Sequence, residues 1–278
     1  ISAVLNKLLK YRLIDGRLSY WPGENKVNKW ASVWAGHFMV EARNMGYATP
    51  AGVYECWLDY EKSEAKMWRA QNGAQETQAY RLWVLAQAGE ADRGAMNRLR
   101  ENTSLSPLSK RLLAGAYAAD GRKDLSRTLL ESAQQMTQTT SDSDCFGSVE
   151  RDMAIESIIY KSIGNQAQAY KMAKQLGEVL SSNHWLSTQT TAWALMAVAQ
   201  IVEPSEDDSS LDVEYIIANK SDKLISTSPI EKIEVDVKNL EGQTKVHINN
   251  NNSHTIYLTM ESMGIPARGS ESEAMNNL

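Results

Sequence analysis

Residues 77–89 read TQAYRLWVLAQAG, thirteen positions in which small or aliphatic side chains recur at helical spacing and the last is glycine. The same plan returns in WAGHFMVEARNMG (34–46), SKRLLAGAYAADG (109–121) and DMAIESIIYKSIG (152–164). A fifth copy, STQTTAWALMAVAQIV (187–202), keeps the apolar face and ends before Glu203 and Pro204. A terminal glycine suits the left-handed residue that closes a helix, where a side chain would clash. The closing glycines lie 43, 32 and 43 residues apart, room for two helices and their loops in each interval. The repeat therefore predicts helical hairpins, with intervening helices over roughly 1–13, 50–69, 91–100, 122–138 and 166–181, five hairpins and ten helices in all. Ala35, Gly36, Ala79, Ala86, Ala114, Gly115, Ala118, Ala192, Ala194 and Ala197 let neighbouring backbones approach, which assigns the repeat helices to an inner layer. The stretches between them carry more charge, as in EKSEAK (61–66), and are expected to form a solvated outer face. Thr49 followed by Pro50 predicts one helix start, and Ser187 with Thr188 another.

Beyond PSEDDSS (204–210), an acidic, serine-rich linker, the period changes from 3.6 to 2. Strands are expected at 211–218, 232–237, 244–248 and 255–262, with turns at 219–222, 239–242 and 249–253. Residues 211–270 thus form an antiparallel module of four or five strands, too small to be a whole β-sandwich. Residues 271–278 are expected to begin another domain or to be a tail.

Composition excludes several classes. The chain has 278 residues, 42% hydrophobic and 23% charged, and carries a net charge of −5 from 29 basic and 34 acidic side chains without a basic run. Nucleic acid is therefore not an expected partner. The longest apolar run, within 192–202, is too short to span a bilayer. The first residue is Ile1 and no charged-then-apolar leader with a small-residue cleavage site follows it, so the chain is expected to be an excised segment. Cys56 and Cys145 form no CxxC pair, and the nucleophile-elbow, phosphate-loop, dinucleotide and zinc-protease motifs are missing. His37, His184, His247 and His254 lack ligand spacing, so no metal site and no cofactor are expected, and His37 reads as a hydrogen-bonded interior histidine.

Two groups of carboxylates would matter in a glycosidase, which needs a facing pair: Glu55, Asp59 and Glu61, and Asp142, Asp144, Glu150 and Asp152. The second group adjoins Asp142-Ser143-Asp144-Cys145, which has the spacing of an acidic cyclase motif without its final Asp, beside a Thr/Ser-rich loop (137–148) that reads as solvated. Six of eight tryptophans (Trp21, Trp30, Trp34, Trp57, Trp68 and Trp83) fall within 21–83, with Tyr20, Tyr47, Tyr54, Tyr60 and Tyr80 among them. Hairpin packing is one reading, since Trp34 and Trp83 lie in repeat blocks; an aromatic pocket that keeps water from something is the other.

The motifs GRLSYWPG (16–23), WASVWAGHFMVEARNMGYATP (30–50), TQAYRLWVLAQAG (77–89) and LSTQTTAWALMAVA (186–199), in this order, resemble the bacterial alpha-2-macroglobulin family. Over residues 1–203 the likeness is to that family's thioester domain and its complement relatives; KVHINNNNSHTIYLTMESMGIPA (245–267) is similar to the CUB-like β segment that follows. The resemblance implies an α/α toroid of about ten helices, lacking one pair of a six-hairpin ring, followed by a small antiparallel β-sandwich fragment. It implies no catalysis by this chain, but a part in a broad-spectrum endopeptidase trap of the bacterial cell envelope, periplasmic or associated with the outer membrane, and it leaves open a lipid anchor on the parent protein. The implied partners are proteases, through the whole protein, and other macroglobulin-like domains of the same polypeptide.

In thioester-bearing members a Cys-x-Glu-Gln motif makes an electrophilic acyl group that must be kept dry. Cys56 continues Trp57-Leu58-Asp59 and Cys145 continues Phe146-Gly147-Ser148, so neither fits. The resemblance places the motif upstream of Ile1, with Tyr20, Trp21, Trp34, Trp57 and Tyr60 as an aromatic rim near it. Two rival readings remain: a toroid carbohydrate-active enzyme using paired carboxylates, and an open helical-repeat scaffold that docks peptides.

Overall fold

The computed structural model describes residues 1–70, 74–134, 147–183, 185–202, 211–217, 220–227, 231–235 and 245–252, with 256, 258 and 260. The chain divides into two compact units, 1–201 and 202–278. The first holds α1 (Ser2–Lys7), α2 (Lys29–Asn44), α3 (Val53–Met67), α4 (Gln75–Gln87), α5 (Arg93–Arg100), α6 (Pro107–Ala119), α7 (Lys123–Gln134), α8 (Val149–Ser162), α9 (Gln166–Leu180) and α10 (Thr188–Val202).

The repeat glycines act as the pattern requires. Gly46, Gly89, Gly121 and Gly164 have φ of 83°, 80°, 78° and 87°, and the next residue in each case donates its N–H back five positions, as Glu90 does to Leu85 O at 2.8 Å. This doubly bonded stop satisfies carbonyls that a helix end otherwise leaves open. Starts are capped by side chains: Asn28 accepts from Ala31 N, Asp92 from Ala95 N, Ser106 from Ser109 N, Ser148 from Arg151 N and Ser187 from Thr190 N. The start expected at Thr49-Pro50 is displaced. Pro50 begins a turn through left-handed Gly52, the helix opens at Val53, and Thr49 instead accepts from Arg43. The first helix is also shorter than expected, passing into a 3-10 turn at 8–10 and then a bridge between Arg12 and Leu18.

Inner and outer layers separate as the composition implies. In α4 every residue from Glu76 to Ala86 is buried, whereas α3 buries Val53, Tyr54, Trp57, Glu61 and Ala65, a single stripe at helical period. Helices α2, α4, α6 and α8 pack side by side in that order. Helix α3 covers α2 and α4, α5 covers α4 and α6, α7 lies on α6, and α9 on α8. Two inner glycines exist to admit indoles. A Cβ on Gly36 would stand 1.8 Å from the Trp57 ring, and one on Gly115 would stand 2.6 Å from the Trp83 ring. Helix α10 brings the curl back on itself, because its Trp193 stacks on Trp83 of α4 and meets Trp34 of α2. An open scaffold would hold those helices apart; the first unit is an α/α toroid of helical hairpins.

In the second unit, strands β1 (Leu211–Ile217), β2 (Lys220–Ser226) and β3 (Val246–Asn250) form an antiparallel sheet in the order β2-β1-β3. Two expectations fail here. Lys220 to Asp222, read as turn, begin a strand, with Lys220 opposite Ile217. Ser221 and Asp222 are exposed, as is most of the sheet, where Val213 is the buried position among the described strand residues. Of residues 232–237, read as strand, 232–235 have no ladder partners among the described residues, and 236–237 lie outside them. Asn249 and Asn250, read as turn, extend β3, and the asparagines beyond them bond to Asp212 of β1: Asn251 Nδ2 donates to its carboxylate at 3.0 Å and Asn252 Nδ2 to its carbonyl at 3.0 Å. Most of 255–262 falls outside the described residues, as do 204–210 and 271–278.

Candidate functional site

Residues 20–28 form a loop that enters α2. Ser19 Oγ donates to Trp21 O at 2.7 Å, and Gly23 takes the left-handed conformation (φ 81°) needed by the turn after Pro22. The loop presents Tyr20 and Trp21, 5.3 Å apart and nearly perpendicular (81°), as a ledge left largely in solvent. Beneath lies a groove of about 860 Å³ walled by Val27, Trp30, Met67 and Trp68, with Glu24, Lys26, Lys29, Glu64 and Arg81 adding charge. The charges are mostly spoken for. Lys29 Nζ lies 3.1 Å from Glu64, and Arg81 donates to Glu61 at 2.6 Å and to Gln78 at 2.8 Å. Burial pushes the Glu61 carboxyl above its ordinary pKa, while Arg81 and the Ser32 hydroxyl pull it down.

The five rings expected to form one rim occupy three places. Tyr20 and Trp21 line the groove. Trp57 is interior, fully buried, with Nε1 donating to Ser32 O at 3.1 Å. Tyr60 lies beside it on α3, its phenol pushed up to about 12 by burial, with Glu64 and Glu61 adding to the shift. Trp34 belongs to a cluster at the centre of the ring. There His37, buried, shares a 2.9 Å hydrogen bond between Nδ1 and the Tyr80 hydroxyl, while Trp34, Trp83 and Trp193 surround both rings at 5.1–6.4 Å between neighbouring centroids. His37 Nε2 stands 3.5 Å from Glu41, too far and poorly aligned for a good hydrogen bond, yet this neighbour holds the Glu41 carboxyl below its ordinary pKa against the effect of burial. His37 is thus an interior histidine bonded on one nitrogen.

The carboxylates do not gather. Glu55 is exposed and 3.7 Å from Arg43, Asp59 is exposed, and Glu61 is sealed under Arg81. Asp142, Asp144 and Cys145 lie outside the described residues, and Glu150 is half-buried. Asp152, the first residue of a repeat block and a neighbour of the solvated loop, is buried on α8, accepting from Arg151 at 2.7 Å and from Arg111 at 3.4 Å; Arg111 also bonds Glu156. Arg151 in turn lies 5.8 Å over the Trp30 ring. Sequence reasoning missed these buried arginines. The available signal was a charge inside an otherwise apolar repeat block, as at Arg81, Arg111, Asp152 and Glu156.

No protein-family model matches the chain, and no curated protein matches it. Solved structures do. The native conformation of Escherichia coli alpha-2-macroglobulin superposes with a TM-score of 0.62 at 16% identity, covering 90% of this chain and 15% of that one. A native Escherichia coli fragment from domain MG7 to the C-terminus gives 0.61 at 16% identity, covering 90% and 38%. Salmonella alpha-2-macroglobulin reacted with methylamine gives 0.58 at 16% identity, covering 88% and 16%. The chain shares its fold with a segment of bacterial alpha-2-macroglobulins, and it spans less than two fifths of the length of each of these three structures.

Proposed function

We propose that this chain is a non-catalytic segment of an alpha-2-macroglobulin-like protein of the bacterial cell envelope, contributing to the trapping of endopeptidases by the whole molecule. One observation carries the reading. Ninety per cent of 278 residues is about 250, more than the 201 of the helical unit, so the likeness extends into the sheet unit as well. A generic α/α toroid would match the helices alone. The ordered motifs in 16–199 point the same way. Related structures are described as activated by porcine elastase or by trypsin, and they match this chain with TM-scores of 0.59. In this reading residues 1–203 are the thioester-domain-like toroid and 211–270 the CUB-like segment.

The test uses the full-length parent protein. Incubation with trypsin should produce a more compact particle by small-angle scattering, with trypsin co-eluting in size exclusion and shielded from a large substrate but not from a small chromogenic one. An unchanged particle and freely eluting trypsin would refute the assignment. Residues 1–278 alone are expected to leave trypsin activity unaltered.

A further inference from the structure

Helix α10 is held differently from its inner-layer neighbours. Helices α2, α4, α6 and α8 approach one another backbone to backbone, but among the described residues α10 has no such close backbone neighbour. It is held by side chains: Trp193 is fully buried, stacked on Trp83 at 5.6 Å and 20°, and lies 5.1 Å from Trp34 and 5.5 Å from His37, while Met196, Val198 and Ile201 pack against the same core and Lys161 of α8 donates to Gln200 O. Ala194 and Ala197 bury beside it, and Thr190 ties the first turn to Ser148 at 3.0 Å. The opposite flank is open, with Leu195 55% exposed.

The seat is also polar where it should be apolar. Among the described residues, Trp193 Nε1 and His37 Nε2 are buried without a hydrogen-bond partner, His37 Nε2 having only Glu41 at 3.5 Å. Such groups are costly inside and regain partners in water, so lifting the helix returns part of what is lost in breaking the stack. Finally, α10 ends at Val202, at the boundary between the two units.

We propose that α10 is a latch: it opens as one cooperative segment, withdrawing Trp193 from its seat between α2 and α4, while α4, α6 and α8 remain folded. This goes beyond the trapping role and does not require it. The ring is thus bistable at one place, the position where the chain leaves it.

Native-state hydrogen exchange on the full-length protein tests this. Amides of residues 192–201 should exchange together, at least ~100-fold faster than those of 80–86 in α4, the signature of sub-global opening. Trp193→Ala should accelerate 192–201 by a further ~10-fold or more and leave 112–118 of α6 unchanged, while Trp193→Phe, which keeps a stacking ring, should stay near the parent rate. Protection of α10 equal to that of α4 in the unaltered protein would overturn the latch, whether or not the variants fold. Equal acceleration of α4, α6 and α10 by Trp193→Ala would overturn it too, since Trp193 would then be a core residue of the whole ring.

Discussion

Replacing Gly36 by alanine separates local propensity from packing, because the two give opposite signs. Gly36 sits within α2, where alanine is favoured over glycine by about 1 kcal/mol. The added Cβ, however, would lie 1.8 Å from Cζ2, 2.0 Å from Cε2 and 2.6 Å from Cη2 of Trp57. That indole has nowhere to go: it is fully buried, 5.9 Å from the Tyr54 ring and bonded through Nε1 to Ser32 O. Forced overpacking of this kind costs up to about 3 kcal/mol, and losing the indole hydrogen bond adds about 1 kcal/mol. Set against the propensity gain, the net destabilisation is about 3 kcal/mol, a fall in midpoint temperature of roughly 6–12 °C for a unit of this size. Urea and thermal unfolding followed by circular dichroism at 222 nm would measure it. The companion variant is Trp57→Leu, in whose background Gly36→Ala should become neutral or stabilising, a coupling expected only of residues in contact. If Gly36→Ala alone proves as stable as the parent, the close approach of α2 and α3 is wrong and the inner layer is looser than described.

The remaining expectations concern buried charge and ionisation. Tyr60 has its pKa raised from 10.0 to about 12, so its stabilising contribution is intact below pH 10 and lost as pH climbs towards 12. Absorbance at 295 nm should show a late-ionising phenol that Tyr60→Phe removes, and that variant should resist alkaline unfolding better. Asp152→Asn strips Arg151 and Arg111 of a shared buried anion and should cost about 3–5 kcal/mol in urea unfolding; a loss under 1 kcal/mol would mean the network is solvated. Glu61→Gln should cost a similar amount, because the buried Arg81 would lose its carboxylate and keep neutral amide oxygens as its acceptors among the described residues.

The helical unit was legible because its information is local. A glycine after four of the five apolar blocks, and a serine, asparagine or aspartate before most helices, state where helices stop and start without reference to the rest of the chain. Thr49-Pro50 misled for a physical reason: proline suits a tight turn as well as a first helical turn, and the following Gly52 makes the turn possible. The sheet was less legible because it is thin and mostly solvated. With Val213 the one buried position among the described strand residues, hydrophobic alternation has little to report, and KSDKLIS pairs with β1 through backbone bonds that most sequences could make.

The aromatic residues show where local reading ends. Trp30, Trp57, Trp83 and Trp193 are packing residues, and what makes them so is a glycine or another ring on a different helix: Gly36 against Trp57, Gly115 against Trp83, Trp83 against Trp193. Those pairs are 21, 32 and 110 positions apart, and no periodicity within one helix can signal them. Tyr20 and Trp21 differ for a reason the sequence does carry, since Pro22 and Gly23 place them in a turn with no helical face to bury. The consequence for recognition is specific. Trp21 at 60% and Trp185 at 81% exposure are the tryptophans that remain mostly in solvent, so a partner that engages the helical unit through an indole has those two to use, and the ledge over the groove is where one of them already stands beside a second ring.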